Sequence, residues 1–195
     1  MIGILTLLIG FCMGYILSHK IKQEESNSFT VYGAYDDKCF TSEVSFDWCA
    51  DEKFKPLDCA LDEEIQEFLY YLCKGYDIDF TFVMAIIQAE SSFNPDIVSN
   101  TGDYGLMQIN KNNHAWITKT IGVKDFTDPK ENVRAGCFVI RKLFEKYQNP
   151  EMVLMAYHFG EHGAKTLWNE GIYDSKYSQQ VLKYQQQFNE QMEGD

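Results

Sequence analysis

No C-x-x-C pair, no basic stripe and no internal repeat occurs in the 195 residues. The six cysteines are Cys12, Cys39, Cys49, Cys59, Cys73 and Cys137, and their spacing matches no zinc-ligand pattern, so no metal and no other cofactor is expected. Cys73 and Cys137 fall in apolar helical runs and should pack as small hydrophobes, while an oxidised pair among Cys39, Cys49 and Cys59 stays open for a chain outside the cytoplasm. The formal net charge of −12 repels phosphates, so no nucleic-acid partner is expected. Alternating apolar and polar residues are scarce too. From Leu57 to Phe188 no such run longer than a few residues interrupts the helical patterns.

Hydrophobic residues make up 45% of the chain, enough to bury one core. Its length suits a single main domain with additions. Ile2 to Leu17 carry no charge, and His19, Lys20 and Lys22 come next, so residues 1–22 read as an N-terminal transmembrane helix close to the minimum spanning length. A basic n-region and a small-x-small cleavage site are both missing, which favours an uncleaved anchor over a signal peptide. Lys20 and Lys22 by themselves would place the C-terminal domain in the cytoplasm. Residues 23–56 are acidic and aromatic, are broken by Gly33 and Pro56, and read as a linker or stalk.

Asp62 is placed to cap a helix over Glu63 to Lys74, with Ile65, Phe68, Leu69 and Leu72 on one face and Gly75 at its end. Phe80 to Ser91 reads as a helix buried on most sides. The Asn-, Asp-, Gly- and Ser-rich stretch from Asn94 to Asn113 reads as loop, with a short helix around Leu106 to Asn110. Pro129 opens a helix to about Tyr147 and Pro150 another to about Phe159; Gly163 to Asn169 and Ser175 to Met192 are the last two. Residues 57–188 thus form a mainly α-helical domain, and 189–195 a C-terminal tail.

Val83, Ile87 and Glu90 recur at intervals of four and three, so a carboxyl ends an apolar stripe. Burial and the negative end of the helix both disfavour its charged form and raise its pKa, which suits a general acid in glycoside cleavage. A surface glutamate at a frayed helix end is the alternative.

Around Glu90 the residues Glu90-Ser91-Ser92-Phe93-Asn94-Pro95, Ser99, and Gly102-Asp103-Tyr104-Gly105-Leu106-Met107-Gln108-Ile109-Asn110 resemble the soluble lytic transglycosylase catalytic domain, a lysozyme-like helical fold related to goose-type lysozyme. The resemblance continues through Asn132-Val133 and Gly136, through Ala156-Tyr157-His158-Phe159-Gly160, and to Tyr177 and Val181, spanning about Leu57 to Tyr184. It implies that Glu90 is the catalytic acid and then base. Ser91 would help hold the sugar or departing group, Met107 and Gln108 would line the glycan cleft, Tyr157 would stand near the carboxyl, and His158 and Tyr177 would join the substrate-binding set. Core packing is the plain alternative for Met107, and a structural bond for Asn132. His158 departs from the family, which usually carries Asn there; an imidazole donates or accepts as an amide does but also gains charge between about pH 5 and 8.

The implied partner is the peptidoglycan glycan strand, which places the catalytic domain on the wall side of the membrane. A role in secretion, conjugation or phage machinery fits an anchored enzyme of this kind. The implied product carries 1,6-anhydro-N-acetylmuramic ends. A goose-type muramidase using Asp96 or Asp103 to activate water is the alternative reaction, and an inactive glycan-binding module is the alternative of another class. His158-Phe159-Gly160-Glu161-His162 also fits the H-x-x-E-H order of a zinc peptidase, but that site needs a continuous helix and Gly160 and Gly163 argue against one.

Overall fold

The computed structural model describes residues 54–194 with their side chains, and residues 16–20, 28–35 and 38–45 as backbone. The chain divides into two units, Met1–Trp48 and Cys49–Asp195.

In the first unit, strands β1 (Ile16–Lys20), β2 (Ser28–Tyr35) and β3 (Lys38–Ser45) pair antiparallel in that order, with Val31 opposite both His19 and Ser42. The segment expected to be a stalk therefore carries two strands. Phe29, Val31 and Tyr32, then Phe40, Thr41 and Val44, supply the aromatic and β-branched content that favours strands, but Gly33 interrupts the alternation that would have marked them. Ile16 to Lys20, within the expected membrane helix, belong to β1; its residues 1–15, 21 and 22 lie outside the described residues. Among the described residues no helix is long and apolar enough to cross a membrane.

The second unit is helical: α1 (Glu63–Tyr76), α2 (Phe80–Ser91), α3 (Lys111–Ile121), α4 (Pro129–Tyr147), α5 (Pro150–Asn169) and α6 (Lys176–Glu193), with a short hairpin of β4 (Asp103–Tyr104) and β5 (Ile109–Asn110) between α2 and α3. Asp62 caps α1 as expected, its carboxylate accepting from the Glu64 amide at 2.9 Å. That helix runs through Gly75, however, and ends at Asp77 in the left-handed conformation, which Asp tolerates. Asp128 and Asn149 cap the two helices that open with proline. Residues 106–110, expected as a short helix, form a tight turn and β5 instead, and α3 begins at Lys111.

Helix α2 is the centre of this unit. Phe80 to Ile87 are all buried, and α2 packs on α1 and α6 while α4 packs on α1 and α5. Leu69, Leu72, Met84, Ile86, Phe138, Ile140, Leu154 and Met155 fill the space between them. Cys73 and Cys137 are both buried as free thiols, hydrogen-bonded to each other, and Cys59 is free as well. Burial first, and then the Cys137 thiol, push the Cys73 thiol well above its usual pKa, and with 1% and 0% exposure Cys73 and Cys137 serve as packing groups.

Gly136 lets α4 approach the hairpin turn: a Cβ there would meet Met107 Sδ at 2.0 Å and its Cε at 2.6 Å. Gly136→Ala should therefore destabilise the protein by about 1–3 kcal/mol in urea unfolding, with a smaller cost in a Met107→Ala background, where that overlap is relieved. Equal costs in both backgrounds would show that Met107 is not what the new methyl strikes.

Candidate active site

Asp79 starts α2 by accepting from the Phe82 amide at 2.7 Å, and the helix then runs apolar until Gln88. Glu90 stands one residue before its end. Ser92 and Phe93 come next with φ of 50° and 66°, two consecutive non-glycine residues in the left-handed region, so the chain turns sharply away beside the carboxyl. Burial raises the Glu90 pKa to about 7, the negative charge of Asp103 adds to the rise, and a hydrogen bond from Tyr177 works against it. That bond spans 87 residues of sequence: the Tyr177 hydroxyl, in the first turn of α6, donates to Glu90 Oε1 at 2.5 Å. Ser91, expected beside the sugar, is 5% exposed and turns its hydroxyl back onto the Ile87 carbonyl at 3.0 Å.

The loop after α2 is fixed by its own polar groups. Asp103 accepts from Ser99 Oγ at 2.5 Å, from Asn110 Nδ2 at 2.7 Å, and from Thr101 Oγ1. Burial pushes its pKa upward, but these bonds and the Lys111 charge together hold it below the usual carboxylate value. In the same hairpin Gly105 has φ of +70°, and a Cβ there would lie 2.6 Å from Asn132 Nδ2, so only glycine lets the loop close onto α4. Asn132, fully buried, then donates to the Tyr104 and Phe126 carbonyls at 2.7 and 2.8 Å and accepts from the Met107 amide at 2.8 Å. Its role is the structural one.

Met107, expected at the cleft wall, has no exposed surface; its side chain lies against Gly136, and only its backbone faces the site, its carbonyl accepting from Tyr157 at 2.7 Å. Tyr157 therefore braces the loop, and the hydroxyl bonded to Glu90 is that of Tyr177. The Tyr157 hydroxyl is pushed well above its usual pKa by burial and then by the charge of Glu90, so it stays a donor. Gln108, half-buried with φ of 46°, donates to the Ile97 and Gly105 carbonyls at 3.2 and 2.9 Å. Asp96 is exposed and its amide donates to Asn94 Oδ1 at 3.0 Å.

Helix α5 is interrupted at Gly160, with φ of 70° and ψ of 158°. His158 and His162 consequently do not share one regular helix, and Glu161 is bonded to Lys146 at 2.6 Å and to the Tyr147 hydroxyl at 2.7 Å. Among the described residues no group of three His, Cys, Asp or Glu side chains is placed to hold a metal. His158 is exposed at the rim with its ring against that of Tyr177, and partial burial lowers its pKa. The arrangement joins a carboxyl poised between its two protonation states to a phenol donor, beside a braced loop that carries Gln108. Asp103, named as a candidate water activator, is held by loop hydrogen bonds that the Ser99-x-Thr101-x-Asp103 spacing signals locally.

The family model for the transglycosylase SLT domain matches residues 71–181. The chain is 32% identical over 108 residues to a transglycosylase of Enterobacteria phage PRD1, covering 55% of this chain and 38% of that protein. It is 30% identical over 110 residues to membrane-bound lytic murein transglycosylase F of Haemophilus influenzae (strain 86-028NP), covering 52% of this chain and 22% of that protein. The chain thus spans well under half the length of either relative. The 70 kDa soluble lytic transglycosylase SLT70 from Escherichia coli superposes with a TM-score of 0.58 at 22% identity, over 65% of this chain and 24% of that one. Lytic transglycosylase Slt of Pseudomonas aeruginosa, solved as an inactive Glu-to-Gln mutant, gives 0.57 at 21%, over 64% and 24%. At that identity the structures speak for a common helical fold.

Because its folded pKa lies above the unfolded value of 4.5, Glu90 costs nothing in stability below that value and progressively more as pH rises toward about 7, above which the charge is carried in full. Glu90→Gln mimics the neutral carboxyl and can still accept from Tyr177. It should match the parent in urea unfolding near about pH 4 and exceed it by on the order of 3 kcal/mol near about pH 8. A gap that stays constant across that range would show that the carboxyl is not desolvated.

Proposed function

Since the chain belongs to the transglycosylase SLT domain family, we propose that it cleaves the β-1,4 bond between N-acetylmuramic acid and N-acetylglucosamine in peptidoglycan and leaves 1,6-anhydro ends. The observation that carries this reading is a part-buried carboxyl, Glu90, raised to a pKa of about 7 and held by Tyr177. A group half protonated near neutrality can act first as acid and then as base. Neutral Glu90 gives its proton to the glycosidic oxygen as the bond to C1 of the muramic acid breaks. The substrate's N-acetyl group stabilises the cation-like centre. The C6 hydroxyl of the same sugar then attacks C1 while its proton passes to Glu90, which returns to its starting state without consuming water. Intramolecular attack gains from high effective molarity, so no second carboxylate is required.

The state of Asp103 favours this route over hydrolysis. Its oxygens are committed to Ser99, Thr101 and Asn110, and its lowered pKa makes it a poor base for activating water. Gln108 is the side chain that would meet the glycan from the loop, while His158 lies with its ring against Tyr177. Tyr177 holds the carboxyl, while Ser91, Met107 and Tyr157 serve the site through the backbone they fix. Phage and membrane-bound enzymes among the relatives fit a catalytic unit tethered near the wall, with the uncharged N-terminal run as tether and a secretion, conjugation or phage apparatus as setting.

Glu90→Gln should lower cleavage of purified peptidoglycan by about 100- to 10,000-fold while sedimentation with insoluble peptidoglycan is retained. Mass spectrometry of the parent digest should show anhydro ends, lighter than reducing ends by one water; reducing ends that depend on Asp103 would make the protein a muramidase. In cell fractionation the full chain should stay with membranes after alkaline carbonate washing, and its release by that wash would remove the tether from the proposal.

A further inference from the structure

The His158 ring lies nearly parallel to the Tyr177 ring, with centroids 4.1 Å apart and planes 14° from each other. Phe159 closes on the same imidazole edge-on, at 4.7 Å and 81°. Phe159, His158, Tyr177 and Glu90 therefore form one continuous series of contacts, ending in the 2.5 Å bond from the phenol to the carboxyl. The backbone explains how α5 can supply two adjacent rings to it: Gly160 breaks the helix immediately afterwards and leaves both residues at the end of its first segment.

Tyr177 sits in the first turn of α6 and reaches Glu90 through one rotatable side chain. Its hydroxyl keeps that bond only while the ring is prevented from swinging. We propose that His158 is a positioning residue for the proposed transglycosylase reaction: its flat ring, backed by Phe159, holds Tyr177 where the phenol can bond Glu90, and so sets the proton affinity of the carboxyl. Flatness is what the position uses. Burial keeps the imidazole below its ordinary pKa, so at neutral pH an uncharged ring covers Tyr177. The titratable groups gathered around this series are Glu90 from α2, Asp103 from β4, Tyr157 from α5 and Tyr177 from α6. Because the Tyr177 bond lowers the Glu90 pKa, loosening it must raise that pKa.

The proposal rests on the glycan-cleaving reading but is testable apart from it. His158→Ala in the full chain should lower kcat on peptidoglycan by about three- to tenfold with little change in KM, the size expected for losing one ring stack. The alkaline limb of its pH–rate profile should move up by about half to one unit. His158→Phe should restore both, and His158→Ala should add nothing in a Tyr177→Phe background. A raised KM with kcat and the limb unchanged would mean that His158 touches the glycan itself. Failure of His158→Phe to rescue would mean that imidazole chemistry is required, and an equal effect in the Tyr177→Phe background would mean that Tyr177 is not the route; each overturns the proposal. The second readout needs no activity: the pH-dependent stability gap between Glu90 and Glu90→Gln should shift upward in pH when His158→Ala is added. If the parent cleaves no peptidoglycan, the functional reading fails, while an unmoved gap overturns the positioning role whatever the reaction.

Discussion

Glu90 must carry an ionisable group at the end of a helix that water scarcely reaches, and the surrounding structure is arranged around that conflict. From Phe80 to Ile87 the helix has no exposed face, because α1 and α6 cover it. Desolvation and the helix's negative end both oppose ionisation. An apolar pocket by itself would push the carboxyl's pKa higher still. The Tyr177 hydroxyl opposes this by donating to the charged form, and with burial it leaves the pKa at about 7, where both states are accessible. The joint between α2 and α6 is thus electrostatic as well as hydrophobic.

A second constraint holds the facing loop. Leu106, Met107 and Ile109 bury their side chains in the core, and hydrogen bonds order the polar remainder. Asn132 satisfies three backbone groups from inside the core, and Tyr157 secures the Met107 carbonyl from α5. Both bonds need close backbone approach, which Gly105 and Gly136 permit by lacking a Cβ. Asp103, wrapped by Ser99, Thr101 and Asn110, belongs to this framework: the same bonds that stabilise its charge remove it from chemistry. A rigid loop beside a poised carboxyl is what orienting a long, flexible polymer requires.

Much of the helical framework was legible in the sequence because its signals are local. Asp62, Asp128 and Asn149 sit next to the helices they cap, the prolines mark two starts, and the apolar run of α2 ends at Glu90 within a single window. The break at Gly160 was readable for the same reason. Local signals also misled. Gly75 looked like a stop, yet the helix continues through it and turns left-handed only at Asp77, and Gly33, inside β2, concealed the alternation of that strand.

Sequence determined that a carboxyl would end an apolar helix, that its neighbours would form a polar loop, and that a helix would break beside His158, since each depends on residues a few positions apart. Only tertiary structure decided which hydroxyl meets Glu90, whether Met107 offers side chain or backbone, and which side chain anchors the Met107 amide. Those outcomes hang on bonds spanning 87, 50 and 25 residues and on the overlap a single missing methyl avoids at Gly136. Periodicity reports which face of an element is buried; it carries no record of which distant atom that face will find.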